Sequence, residues 1–145
     1  MIHRIVVLCT GNICRSPMAE GLLKAELPEL TVFSAGVGAV VGAPAEPHAI
    51  EVMAEHGHDI RAHRAQQLTQ PMLQAVDLAL VLDQTHADWI YRRYPQFRGK
   101  VHKLLKWQDD ADVPDPYRAP RAVFESAYTM IETGIGLWLP RLARR

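Results

Sequence analysis

The segment that most constrains the fold is the passage from Ile5-Val6-Val7-Leu8 into Ser16-Pro17. The first is an unbroken, largely β-branched apolar run. Such a run suits a strand buried on both faces, the environment of a parallel sheet. Ser16 and Pro17 read as the N-cap and first residue of a helix that reaches about Leu27, before Pro28. The chain therefore opens as strand, tight loop, helix. The same alternation continues. Thr31-Val32-Phe33-Ser34-Ala35 reads as a second strand, and residues 37–47, punctuated by Gly and Pro, as a loop. Ala49, Ile50, Val52 and Met53 form a helical stripe ended by Gly57. Thr69-Gln70-Pro71 starts a short helix, and Leu78-Ala79-Leu80-Val81-Leu82 is a third buried strand. A helix over about Gln84 to Tyr94 and a weaker strand, Val101-His102-Lys103-Leu104, follow. From about Pro120, Phe124, Tyr128, Ile131, Ile135, Trp138 and Leu142 fall on one helical face, although Gly134 and Gly136 weaken that helix by roughly 1 kcal/mol each. Strands alternating with helices predict an α/β fold on a parallel sheet, and 145 residues suit a single domain over 1–145.

In such sheets ligands bind beyond the carboxyl ends of the strands, which draws attention to the first loop, Cys9-Thr10-Gly11-Asn12-Ile13-Cys14-Arg15-Ser16. A strand-to-helix loop aims successive backbone N–H groups at one point, and the helix dipole adds positive potential. Gly11 permits an unusual backbone angle, and Asn12 tolerates the left-handed region better than most residues. Arg15 closes the cradle with a planar fork suited to two oxygens of a phosphate. Cys9 sits at the other end, where aligned amides and a guanidinium favour the thiolate, a ready nucleophile. Ser16 can donate its hydroxyl to that sulfur. A bare Cys-x5-Arg spacing occurs by chance; its place between a buried strand and a helix start gives it weight. Cleaving a phosphoester also requires a proton for the leaving oxygen. Asp115, in the stiff segment Asp112-Val113-Pro114-Asp115-Pro116-Tyr117, is the candidate, with Tyr117 as an aromatic surface for a phenyl ring.

Composition removes several alternatives. Basic and acidic residues are equal in number, so the formal net charge is zero, which argues against a general nucleic-acid binder. No stretch approaches ~18 apolar residues, and the N-terminus lacks the pattern of a signal peptide. The expected address is cytoplasmic, without membrane insertion. Two cysteines are too few for a secreted disulfide scaffold. His56, His58 and His63 lie close in sequence but read as solvated surface, so no metal is expected. Trp89, Tyr91 and Tyr94 read as helix packing.

The first loop, taken with Asp115-Pro116-Tyr117 near the C-terminus, resembles the low-molecular-weight protein tyrosine phosphatases. The likeness runs over nearly the whole chain. It includes Ser34-Ala35-Gly36, the run His63-Arg64-Ala65-Gln66-Gln67-Leu68-Thr69, and Asp83 after the third strand. The resemblance implies a four-stranded parallel sheet with helices on both faces, and hydrolysis of protein phosphotyrosine through a phosphocysteine on Cys9. Arg15 would bind the phosphate together with the loop from Thr10 to Ser16, including Ile13 and Cys14. Asp115 would be general acid and then general base. Asn12, Ser16 and Ser34 would hold the loop in shape, and His63 and Asp83 would support it. Cys14 would be a redox partner able to pair with Cys9. No cofactor is implied.

Val37-Gly38-Ala39-Val40-Val41-Gly42 and Phe97-Arg98-Gly99-Lys100-Val101 look most like bacterial members linked to capsule and exopolysaccharide synthesis. Those members act on the tyrosine-rich tail of a membrane tyrosine autokinase and release inorganic phosphate. Animal relatives carry a large aromatic near Val40. Here Val40 is small, and Tyr117 is left as the main aromatic wall. Two other readings stay open: an arsenate reductase on the same scaffold, which lacks its third relay cysteine here, and a non-catalytic phosphotyrosine-binding module, which would need neither Cys9 nor Asp115.

Overall fold

The computed structural model describes residues 1–142; the expected domain limit at Arg145 lies outside them. Its elements run β1 (Arg4–Cys9), α1 (Arg15–Glu26), β2 (Thr31–Gly36), α2 (Pro47–Glu55), α3 (Gln70–Ala75), β3 (Leu78–Val81), α4 (Gln84–Arg93), a 3-10 turn (Pro95–Lys100), β4 (Val101–Lys103) and α5 (Arg121–Leu142). The four strands form one parallel sheet in the order β2-β1-β3-β4. No described helix is long and apolar enough to cross a membrane.

Alternation along β1 explains the layers. Ile5, Val7 and Cys9 face one side and pack with residues of α1, α2 and α5; Val6 and Leu8 face the other and pack with α3 and α4. Both faces of every central strand are thus apolar, which is why the strands read as continuous runs. The α5 stripe from Phe124 to Leu142 is buried throughout. Its Trp138 indole donates to the Leu104 carbonyl at 2.8 Å. Gly134 sits where α5 crosses closest to the segment after β4: a Cβ there would come within 2.6 Å of Leu105 Cδ2. The helix stays continuous because this close packing offsets the glycine penalty.

The chain leaves β1 outward to β2 and returns to β3 on the opposite side, so strand order reverses between β1 and β3. The loops that follow these two strands diverge there and leave a crevice at their carboxyl ends. One carries residues 10–14 and the other begins at Asp83.

Most expected boundaries hold within a residue or two. The turn over Pro95–Lys100 is an addition. The N-cap of α1 is a correction. The helix begins at Arg15, with Cys14 as its N-cap and no side-chain cap. The Ser16 hydroxyl is engaged elsewhere, with Cys9 Sγ and Asn12. The first-turn amides of α1 are therefore not covered by their own chain's usual cap.

Candidate active site

The loop after β1 is built by turning its carbonyls outward. Cys9, Thr10 and Gly11 carbonyls accept from the N–H groups of Val37, Gly38 and Val40, and the Ile13 carbonyl from that of Glu46. The Asn12 carbonyl accepts from His63 Nε2 at 2.6 Å, which fixes the proton on that nitrogen. In a planar trans peptide the N–H points opposite to the carbonyl. The N–H groups of residues 10 to 14 are therefore directed to the inner side, toward a cavity of about 180 Å3 lined by Cys9, Arg15, Val40, Asp115 and Tyr117 among others. A larger cavity, about 330 Å3, opens behind the loop beside Glu20, Lys24 and His63. Cys9, Arg15 and Asp115 line the smaller cavity and not this one, so the smaller cavity is the candidate site.

Asn12 holds the turn. It takes the left-handed conformation, φ 60°. Gly11 was the expected place for an unusual angle, but among the described residues the glycines with positive φ are Gly42 and Gly57. Asn12 can do this because its amide bonds locally. Its Oδ1 accepts from the Gln66 N–H at 2.9 Å, which fixes the amide orientation. Its Nδ2 then donates to Ser16 Oγ at 2.8 Å and Ser34 Oγ at 2.9 Å. Ser34 in turn donates to Glu20. With one lone pair taken by Asn12, Ser16 has its proton free for Cys9 Sγ, 2.8 Å away. Gly36 lets the end of β2 pass against this turn, since a Cβ there would overlap the Thr10 carbonyl oxygen.

Arg15 is 2 % exposed and is held on one side only. Its Nη1 donates to Asp83 Oδ2 at 2.7 Å and to the Val113 carbonyl at 2.8 Å. Among the described residues its Nε is buried without a hydrogen-bond partner, and Nη2 lies 3.5 Å from His86 Nε2 and 3.8 Å from Asp115 Oδ2. Buried polar groups are ordinarily paired. The Nε–Nη2 edge is thus a two-donor fork left for a ligand anion, the geometry of a bidentate phosphate contact. Burial alone would raise the Asp83 carboxyl; hydrogen bonds from Thr85 and Arg15, helped by His86 and Arg15 charge, outweigh that and hold it at about 2.

Asp115 stands at the mouth, its side chain half exposed, and Oδ1 accepts from the Tyr117 N–H at 3.1 Å. The base of its loop is tied down by Val113 N–H to the Leu82 carbonyl and by Lys103 to Asp112 at 2.6 Å. Tyr117 and Val40 are 46 % and 51 % exposed and line the cavity mouth. Cys9 and Cys14 are both free thiols and both buried. Burial, then the neighbouring Cys9, Asp115 and Glu46, push the Cys14 thiol far up, so it stays protonated.

Every expected site residue is therefore at or directly behind one cavity. The histidine run is dispersed: His63 serves the loop, whereas His56 stacks on Tyr128 at 4.0 Å. Three participants were not foreseen. Glu20 and Gln66 lie behind the loop. His86, fully buried on α4, bonds to Thr10 and approaches Arg15. Its sequence signal was its place three residues after an Asp N-cap, where a capping-box partner stands.

The fold and this site define a class: an α/β protein with a thiol set in an amide-lined anion cradle at the switch point of its sheet. The chain belongs to the low molecular weight phosphotyrosine protein phosphatase family, whose profile matches residues 4–145. It is 49% identical over 142 residues to "Probable low molecular weight protein-tyrosine-phosphatase EpsP" of Ralstonia nicotianae, covering 98% of this chain and 97% of that one. The crystal structure of the tyrosine phosphatase AmsI of Erwinia amylovora superposes with a TM-score of 0.95, at 42% identity over 99% of this chain and 95% of that one. Vibrio vulnificus Wzb in complex with benzylphosphonate gives 0.94, at 37% identity over 97% and 99%. The activity is that of a low-molecular-weight protein-tyrosine-phosphatase.

Proposed function

We propose that Cys9 carries out this phosphatase reaction in two steps, with Arg15 and Asp115 as its partners. The sulfur anion, supported by the Ser16 hydroxyl, attacks phosphorus in line. Asp115 protonates the departing phenolic oxygen. The inward N–H groups and the free Nε–Nη2 edge of Arg15 take the equatorial oxygens, where charge builds up, and this is the largest contribution to the rate. Water directed by Asp115 then cleaves the phosphocysteine and releases inorganic phosphate. Asn12, Ser16, Ser34 and His63 keep the loop in its binding shape, and Asp83 aims Arg15.

The single observation that carries this reading is the orphaned Nε of the buried Arg15. It faces an anion cradle with a thiol at the opposite end, and a tetrahedral anion satisfies it. Tyr117 and Val40 at the mouth suit a flat phenyl ring, the ring that benzylphosphonate presents to the related Wzb. The substrate is accordingly a phosphotyrosine protein. On the resemblance to EpsP, AmsI and Wzb, it is the tyrosine-rich tail of a membrane autokinase that controls exopolysaccharide or capsule production, reached from the cytoplasmic side. Cys14, at the end of the same loop and lining the same cavity as Cys9, is on the family resemblance the thiol that would pair with a Cys9 oxidised to the sulfenic acid, forming a disulfide with loss of water.

Cys9→Ser tests the chemistry. Turnover of p-nitrophenyl phosphate is lost while inorganic phosphate still binds, measured by calorimetry. Retained turnover in that variant removes Cys9 as the nucleophile.

A further inference from the structure

His86 and Thr10 form a side-chain relay whose proton positions can be deduced. His86 is fully buried. Its Nδ1 lies 3.2 Å from the Asp83 backbone nitrogen, whose N–H can only donate and completes the capping box, while the Asp83 carboxylate Oδ1 is farther away at 3.5 Å. Nδ1 is therefore the bare nitrogen, and the ring proton sits on Nε2. Nε2 faces two groups, Thr10 Oγ1 at 3.0 Å and Arg15 Nη2 at 3.5 Å. Arginine offers only donors, so the Nε2 proton goes to Thr10. Burial lowers the ring's affinity for a second proton, to about 4, so the neutral form persists near neutral pH. Thr10 Oγ1 thus receives one hydrogen bond and keeps its own proton to give. Among the described residues no protein acceptor is recorded for that proton, and Thr10 is exposed and lines the cavity beside Cys9 and Arg15.

We propose that the Thr10 hydroxyl is a further donor to the bound phosphoryl group, oriented by His86 acting as a positioning residue anchored on the Asp83 N–H. The relay runs from the start of α4 across the crevice to the loop after β1, so it links the two walls of the site. It also places a neutral donor, not a second cation, next to the Arg15 fork, leaving Nη2 to the anion.

The inference rests on the phosphatase reading above, and the test separates the two. Competitive inhibition of p-nitrophenyl phosphate hydrolysis by inorganic phosphate is measured for wild type, Thr10→Val, Thr10→Ser, His86→Asn, His86→Gln and the Thr10→Val/His86→Asn pair. Thermal melting of each is followed alongside. A hydrogen bond to a charged group is worth enough that Thr10→Val weakens phosphate inhibition and kcat/KM about tenfold, and Thr10→Ser recovers most of it. Asn reproduces the Nδ1 position of histidine and Gln the Nε2 position. His86→Gln therefore recovers most of the function, whereas His86→Asn falls with Thr10→Val although it keeps the α4 cap. The double variant is no worse than the weaker single, because both changes break one relay. Wild-type inhibition with an undiminished Thr10→Val overturns the relay, as does multiplication of the two single effects or equal loss in His86→Gln and His86→Asn at unchanged melting temperature. Wild type that phosphate does not inhibit overturns the anion site itself.

Discussion

Asp83→Asn isolates the charge that holds Arg15. Asparagine keeps the cap: Asp83 Oδ1 accepts from the Thr85 N–H at 2.9 Å, and Asn is as good an N-cap as Asp. What disappears is the negative partner of a guanidinium that is 2 % exposed. Stripping one partner from a fully buried pair costs about 3–5 kcal/mol. Here the loss is smaller, because Asp83 is 17% exposed, and Arg15 keeps the Val113 carbonyl and has Asp115 within 3.8 Å. A loss of about 2 kcal/mol is expected, near that of one charge-assisted hydrogen bond. At roughly 3 °C per kcal/mol for a chain of this size, the melting temperature falls by about 6 °C. The sharper expectation concerns phosphate. A dianion in the cradle supplies the counter-charge that the variant lacks, so saturating phosphate raises the midpoint of urea unfolding more in the variant than in wild type. The assay is urea unfolding with and without phosphate, beside steady-state kinetics, where kcat falls because the Nε–Nη2 edge is no longer aimed. Equal stabilisation of both proteins by phosphate, or a variant as stable as wild type, would refute the claim that Asp83 neutralises and aims Arg15.

Other outcomes follow from the same geometry. His86 is protonated at about 4 in the fold and near 6.5 when unfolded, so its contribution is fully present above pH 6.5 and is lost as pH falls toward 4. The loss is of order 3 kcal/mol; urea midpoints from pH 7 to 4.5 should decline in wild type and flatten in His86→Asn. Asp83, held at about 2, adds a further loss only below its ordinary 3.8. Gly36→Ala forces a Cβ onto the Thr10 carbonyl, costing about 1–3 kcal/mol and displacing the loop; the melting temperature and kcat fall together, and an unaltered enzyme would contradict the close approach. Asp115→Asn slows aryl phosphate hydrolysis about 10²–10⁴-fold, and a variant with wild-type rate and pH profile moves the acid elsewhere.

The sheet and the cradle were legible in the order of residues alone, because both depend on neighbours along the chain. Runs such as Ile5-Val6-Val7-Leu8 and Leu78-Ala79-Leu80-Val81 must be buried on both faces, and a thiol, a glycine and an arginine confined between strand and helix must share one small volume. The family pattern carried Asp115, Ser34, His63 and Asp83 to the same place without revealing what they touch. The wiring of the site came from the folded arrangement. Ser16 does not take the capping role its position suggests, because the helix starts one residue earlier, at Arg15, and the Ser16 hydroxyl accepts from Asn12 while facing Cys9 Sγ. The left-handed turn fell to Asn12 and not to Gly11, because Gln66, far along the chain, fixes the Asn12 amide. His86 and Glu20 entered the network through contacts with residues distant in sequence. Hydrogen-bond direction and the sharing of a donor between rivals depend on where remote elements come to rest, and local pattern carries no record of that.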